Sequence, residues 1–229
     1  EKKLKKKNKA IYLLFLMPFV YFATACFVVW LVKTSGIYPS GSDTMYHVYR
    51  GDYVYNAIKS GNWYPLYDPA WYNGVEILRY WSPFPAYVMA FCQYLAGGSQ
   101  FGAYLFYIGG VCFLGACVWP FIGRGFNRPY LGAFIGLLWF FMPNNLCAIF
   151  IEGNLARSLS MIFLPVFIYS VYKYLYNHKL RYIPLMVFTF LLMELCHLGY
   201  AGMVAIAVII YGIVYMIQKG RKKAVLDVV

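Results

Sequence analysis

The chain has 229 residues, of which 62% are hydrophobic and 12% charged, and its mean hydropathy is +0.58. A soluble domain of this length needs about twice that charged share to cover its surface, so lipid is the solvent for most of the chain. The formal net charge of +12 does not point to nucleic acid. Its basic residues sit in short clusters at the ends of apolar runs, where topology signals lie, rather than in one patch.

Residues 1–10 are a basic tail with six lysines. Residues 11–33 form a first span that reads as a retained signal anchor. The stretch at Cys26 is similar to a lipoprotein cleavage site, but the apolar run continues past it, as a cleaved signal would not. Residues 34–100 break the apolar pattern. Within 34–82 lie Asp43, Asp52, Asp68 and Glu76, several glycines and prolines, and twelve aromatic residues. The apolar segment 84–97 is short for crossing a bilayer and is expected to lie in the interface or dip into it. Five further spans fill 101–218, at about 101–122, 129–150, 158–176, 180–197 and 199–217, and a basic end occupies 219–229. The expected fold is an all-α integral membrane protein of about six transmembrane helices. The missing initiator methionine leads us to expect part of a longer protein.

Charge decides the topology. If 84–97 does not cross and both ends are cytoplasmic, fifteen of the twenty lysines and arginines fall inside. If it did cross, the clusters at 124–128, 179–181 and 219–223 would flip outside, against the positive-inside bias. The six cysteines lie in apolar surroundings without a Cys-x-x-Cys pair, so they read as small hydrophobes.

This topology puts the 34–82 loop, the 151–157 loop with Glu152 and Arg157, and His197 on one outer face. Glu194 sits one turn before His197 in an apolar helix, where a carboxylate needs a partner or a task. Asp43, His47 and Arg50 follow at i, i+4 and i+7, one face of a helix that starts after Pro39 and Gly41. An acid, an imidazole and a guanidinium on one stripe can accept a hydroxyl proton and hold a phosphate. A helix cap at Asp43 or a salt-bridged surface stripe would have the same spacing.

The order of residues after Asp43 is distinctive: a helix leading to Gly61-Asn-Trp63-Tyr-Pro65, a Trp71-Tyr-Asn-Gly74 turn, and Pro83-Phe-Pro85 before an apolar helix. Downstream come Pro143, Gly153, Pro165 and a helix ending at His197. This resembles the GT-C class of membrane glycosyltransferases, and within it the bacterial multi-spanning proteins labelled 6-pyruvoyl-tetrahydropterin synthase related. The resemblance implies a GT-C-like bundle with a large outer first loop carrying interfacial helices. It also implies transfer of a sugar, with inversion, from a polyprenyl-phosphate donor to a cell-surface glycan or lipid acceptor at the outer face of a bacterial plasma membrane. Asp43 matches the position of the class's general base or metal-binding acid, with His47 beside it. Arg79, Lys59 and Arg50 are the candidates for the donor phosphate, and Glu152, Arg157, Glu194 and His197 for a supporting polar cluster. No metal ligand set is read from the sequence, although the class leaves room for a divalent metal. The expected partners are membrane lipids and the polyprenyl-phosphate sugar donor, with no nucleic acid. The second glycine loop departs from the group's order, since Glu152 precedes Arg157. The alternative function is a catalytically inactive GT-C-like scaffold or lipid-handling protein. A transporter ranks third, because no inverted repeat or mid-span charge cluster is visible.

Overall fold

The structure, a computed structural model, describes residues 2–39 and 41–219. The basic end expected beyond Lys219 lies outside the described residues. All the described elements are helical. They are α1 (Lys2–Ser35), α2 (Thr44–Lys59), α3 (Ile77–Tyr80), α4 (Phe84–Leu95), α5 (Gln100–Gly125), α6 (Pro129–Leu138), α7 (Pro143–Leu146), α8 (Leu155–Asn177), α9 (Ile183–Cys196) and α10 (Leu198–Lys219). Five segments among the described residues are long and apolar enough to cross a membrane: Phe15–Ser35, Gln100–Gly125, Pro129–Ile151, Leu155–Asn177 and Leu198–Gln218. This is an all-α membrane protein.

The run expected at 180–197 as a full span is shorter. Leu180–Tyr182 form a 3₁₀ turn, and Pro184 opens α9, whose 14 residues rise only about 21 Å against a hydrocarbon core of about 30 Å. The segment still runs between the two ends of the bundle. Tyr182 meets the Tyr169 hydroxyl at one end, and the Met193 carbonyl accepts from Ser160 Oγ at 3.3 Å near the other. The 84–97 segment forms α4, 12 residues that pack on α2 and α5 rather than crossing. We call the end of the bundle that carries α2 to α4 the loop face.

Buried tyrosines tie the spans together by donating to backbone carbonyls of neighbouring helices. Tyr21 donates to the Ala133 carbonyl at 2.8 Å, joining α1 to α6, and Tyr107 donates to Leu155 at 2.9 Å, joining α5 to α8. Gly123 and Gly132 let α5 and α6 touch backbone to backbone, since a Cβ on Gly132 would sit 2.8 Å from the Gly123 Cα. The third span is interrupted: a 3₁₀ turn at Trp139–Phe141, then Pro143, then a π-turn at Cys147–Ile151. Buried Asn145 repairs the break by donating to the Trp139 carbonyl at 2.9 Å. At the opposite face, Lys173 donates to the Gly125 carbonyl at 2.7 Å and closes the end of α5.

Candidate functional site at the loop face

Two chain turns meet at the start of α2. The Asp43 N–H donates to the Glu152 carbonyl at 3.1 Å, and the Ser42 hydroxyl lies 3.1 Å from the same oxygen. The approach is possible because Gly41 and Gly153 carry no side chain there. A Cβ on Gly153 would fall 2.1 Å from Thr44 Oγ1, and its backbone has φ +68°.

The turn between α9 and α10 is held from the other side. Ser82 Oγ donates to the Glu194 carbonyl at 2.8 Å and accepts the Leu198 N–H at 3.2 Å. These ties enclose a cavity of about 350 Å3 lined by Asp43, Tyr46, His47, Arg50, Tyr80, Trp81, Ser82, Asn154, Ala156 and Cys196 to Gly199.

Asp43 stands at the N-cap position, yet its side chain makes no capping hydrogen bond. Among the described residues its carboxylate meets only the Ser42 hydroxyl, at 3.2 Å, and it borders the cavity. Arg50 is 2% exposed and has no carboxylate partner among the described residues. Its Nη2 reaches the Ser82 and Trp81 carbonyls at 3.3 and 3.5 Å, and its guanidinium lies over the Tyr46 and Trp81 rings. Arg50 Nε–H and the Tyr46 hydroxyl are buried without a partner among the described residues.

His197 Nδ1 accepts the Tyr200 N–H at 3.0 Å, so the neutral ring carries its proton on Nε2. Asn154 Oδ1 accepts the Arg157 N–H at 2.9 Å, which turns Nδ2 toward that Nε2 at 3.4 Å. Both groups are donors, so the approach is not a hydrogen bond; the pair together needs an acceptor. The cavity therefore gathers several unsatisfied donors around one carboxylate, a surface suited to an oxygen-rich ligand.

The two histidines stay neutral at ordinary pH. Burial first, then the Arg50 and His197 charges, pushes His47 down to about 3. Burial, with help from the Arg157 charge, lowers His197, against opposing pulls from its own backbone carbonyl and, less, from Asp43. Burial also pushes Tyr46 up to about 12.

The other residues singled out from the sequence lie around or away from this cavity. Arg157 pairs with Glu152 at 2.8 Å, behind the turn that carries Asn154. The backbone of Glu194 is held by Ser82, and its half-buried carboxylate is not among the groups lining the cavity. Arg79 is exposed and paired with Glu76 at 2.6 Å, and Lys59 lies over the Tyr55 ring at the far end of α2. Neither lines the cavity. Among the described residues no three His, Cys, Asp or Glu side chains come together to hold a metal ion. Sequence reasoning missed Tyr46, Trp81, Ser82 and Asn154. Only Asn154 carried a signal, as an asparagine directly before a helix.

A family model described as a 6-pyruvoyl-tetrahydropterin synthase related domain, membrane protein, matches residues 78–229. The matched segment contains Ser82, Asn154 and His197, and Asp43, His47 and Arg50 precede it. No curated protein and no solved structure matches the chain.

Proposed function

The chain belongs to the 6-pyruvoyl-tetrahydropterin synthase related family of membrane proteins, and on that premise we propose that it is a GT-C type glycosyltransferase working at its loop face. In this reading the loop face is the outer face of a bacterial plasma membrane and both ends lie in the cytoplasm. The donor is a polyprenyl-phosphate-linked sugar and the acceptor a cell-surface glycan or lipid.

One observation carries the reading: a buried guanidinium with no carboxylate partner among the described residues shares a cavity with a carboxylate that its own helix does not use. Arg50 and the donors on Tyr46, Asn154 and His197 bind the phosphate oxygens of the donor. The acceptor hydroxyl oxygen attacks the anomeric carbon, the bond from that carbon to the phosphate oxygen breaks, and polyprenyl phosphate leaves. The hydroxyl proton passes to the Asp43 carboxylate, which acts as general base. His47, neutral at working pH, positions the acceptor without adding charge. Lys59 and Arg79 serve at most the approach of the anionic lipid, from outside the cavity.

The test is sugar transfer from a labelled polyprenyl-phosphate donor in membranes holding wild type or Asp43→Asn. Transfer that depends on Asp43 supports the reading. Equal turnover by the variant overturns it, and a wild type inert with every donor favours the scaffold alternative.

A further inference from the structure

A second cleft, of about 420 Å3, opens on a different stripe of α2. Tyr49, Asp52, Tyr53, Asn56 and Ser60 recur there at helical spacing, and the turn at 62–65 forms the facing wall. Its walls are fixed from behind. Tyr49 donates to Asp68 Oδ2 at 2.5 Å and Tyr53 to the Tyr67 carbonyl at 2.8 Å. Asp52 Oδ1 accepts from the buried Gln93 amide at 2.6 Å, and Tyr87 pins the turn through the Trp63 carbonyl at 2.7 Å. A cleft fixed in this way loses little further entropy when a ligand binds.

The groups left over have a definite chemistry. The Asn56 amide and Asn62 Nδ2 make no hydrogen bond among the described residues, whereas Asn62 Oδ1 accepts the Tyr64 N–H at 3.2 Å. No lysine, arginine or histidine lines the cleft, in contrast to the Arg50 cavity. Two tyrosine rings, the free Asn56 amide, the free Asn62 Nδ2 and a carboxylate with no cation among the cleft's lining suit a neutral polyhydroxy ligand, whose hydroxyls both donate and accept and whose ring faces are apolar. An anionic ligand would meet Asp52 alone. The exposed Trp63 and Tyr64 extend the aromatic surface beyond the rim.

We propose that this cleft binds a neutral oligosaccharide, as the acceptor subsite of the transferase. The subsite role rests on the transferase reading, and saccharide binding stands on the cleft itself. His47 and Asn56 lie about 14 Å apart along α2 and about half a turn apart around it, so an acceptor that joins the cavity to the cleft has to pass around the helix.

The experiment titrates maltotetraose, cellotetraose and chitotetraose separately into the full chain in nanodiscs, free of glycoside detergents, by calorimetry. Polyprenyl phosphate is titrated into the same preparation. We expect saturable binding of at least one tetrasaccharide, weakened at least about tenfold in the Asn56→Ala/Asn62→Ala double variant, the size of losing one or two net hydrogen bonds. Both side chains are exposed, and an unchanged melting profile verifies the fold. Absence of binding to all three, or binding unchanged in the variant, overturns the proposal. A protein that binds a tetrasaccharide in this cleft but no polyprenyl phosphate keeps the saccharide site and overturns the transferase reading. The reverse result overturns the cleft alone.

Discussion

The Asp43 N–H donates to the Glu152 carbonyl at 3.1 Å, so the first turn of α2 is anchored to the turn that joins the third span to α8. The position of the candidate base is therefore set by a backbone contact between distant loops, and its side chain remains free for chemistry.

Gly153→Ala is expected to break that anchor. The backbone at φ +68° and a Cβ placed 2.1 Å from Thr44 Oγ1 both oppose the change. The backbone strain alone costs about 1–3 kcal/mol. Thermal unfolding in detergent should move down, and amide exchange at residues 43 and 44 should speed up. Unchanged exchange there would show that the two turns do not depend on each other.

Asp43→Asn should lower sugar transfer by at least about a hundredfold, the low end for loss of a general base. Because the Asp43 side chain does not cap α2, the unfolding midpoint should hardly move. A variant with lowered stability and intact turnover would restore the helix-cap role.

Arg50→Gln should weaken polyprenyl-phosphate binding at least about tenfold, since it removes a desolvated charge from the cavity. Arg79→Ala should have the smaller effect, because its exposed pair with Glu76 contributes little. Equilibrium binding of a fluorescent polyprenyl phosphate ranks the two, and the opposite order would move the phosphate site to Arg79.

Stability should depend on pH through His47. Its folded pKa, about 3, lies below the usual 6.5, so between these values the unfolded state holds more protons. Stability present above pH 6.5 is then lost as the pH falls toward 3, with a slope of up to about 1.4 kcal/mol per pH unit. Chemical denaturation of wild type and His47→Gln across pH 4 to 7 reads the difference, and parallel curves would remove His47 as the source.

Cysteines placed at Asn62 and Arg124, both exposed and at opposite ends of the bundle, should react with an impermeant maleimide from opposite sides of the membrane. Asn62 is expected to label from outside. Labelling of both from one side would overturn the topology.

The spans were legible in the sequence because apolar length is a property of the chain alone. The 12-residue α4 was equally legible, since too few apolar residues remain to cross a bilayer. The 180–197 run misled because its composition is continuous, and only the 3₁₀ turn ahead of Pro184 shortens the helix. The stripe of Asp43, His47 and Arg50 followed from helical spacing. The burial of Arg50 was not legible, because it depends on carbonyls at 81 and 82 and rings at 46 and 81. Ser82 acts through backbone partners, which leave no mark in a residue pattern.

The double hydrogen bond of Ser82 has a bearing on biogenesis. Val54, Ile77, Leu78, Ala86 and Ala90 form a small core of their own, so the loop can condense from local contacts before the later helices are made. Ser82 finds its partners, Glu194 and Leu198, only after α9 and the start of α10 have left the ribosome and entered the bilayer. Throughout synthesis the loop is thus a folded but open platform. The α9–α10 hairpin supplies the last wall of the cavity, so the cavity is complete only once membrane insertion has passed α9.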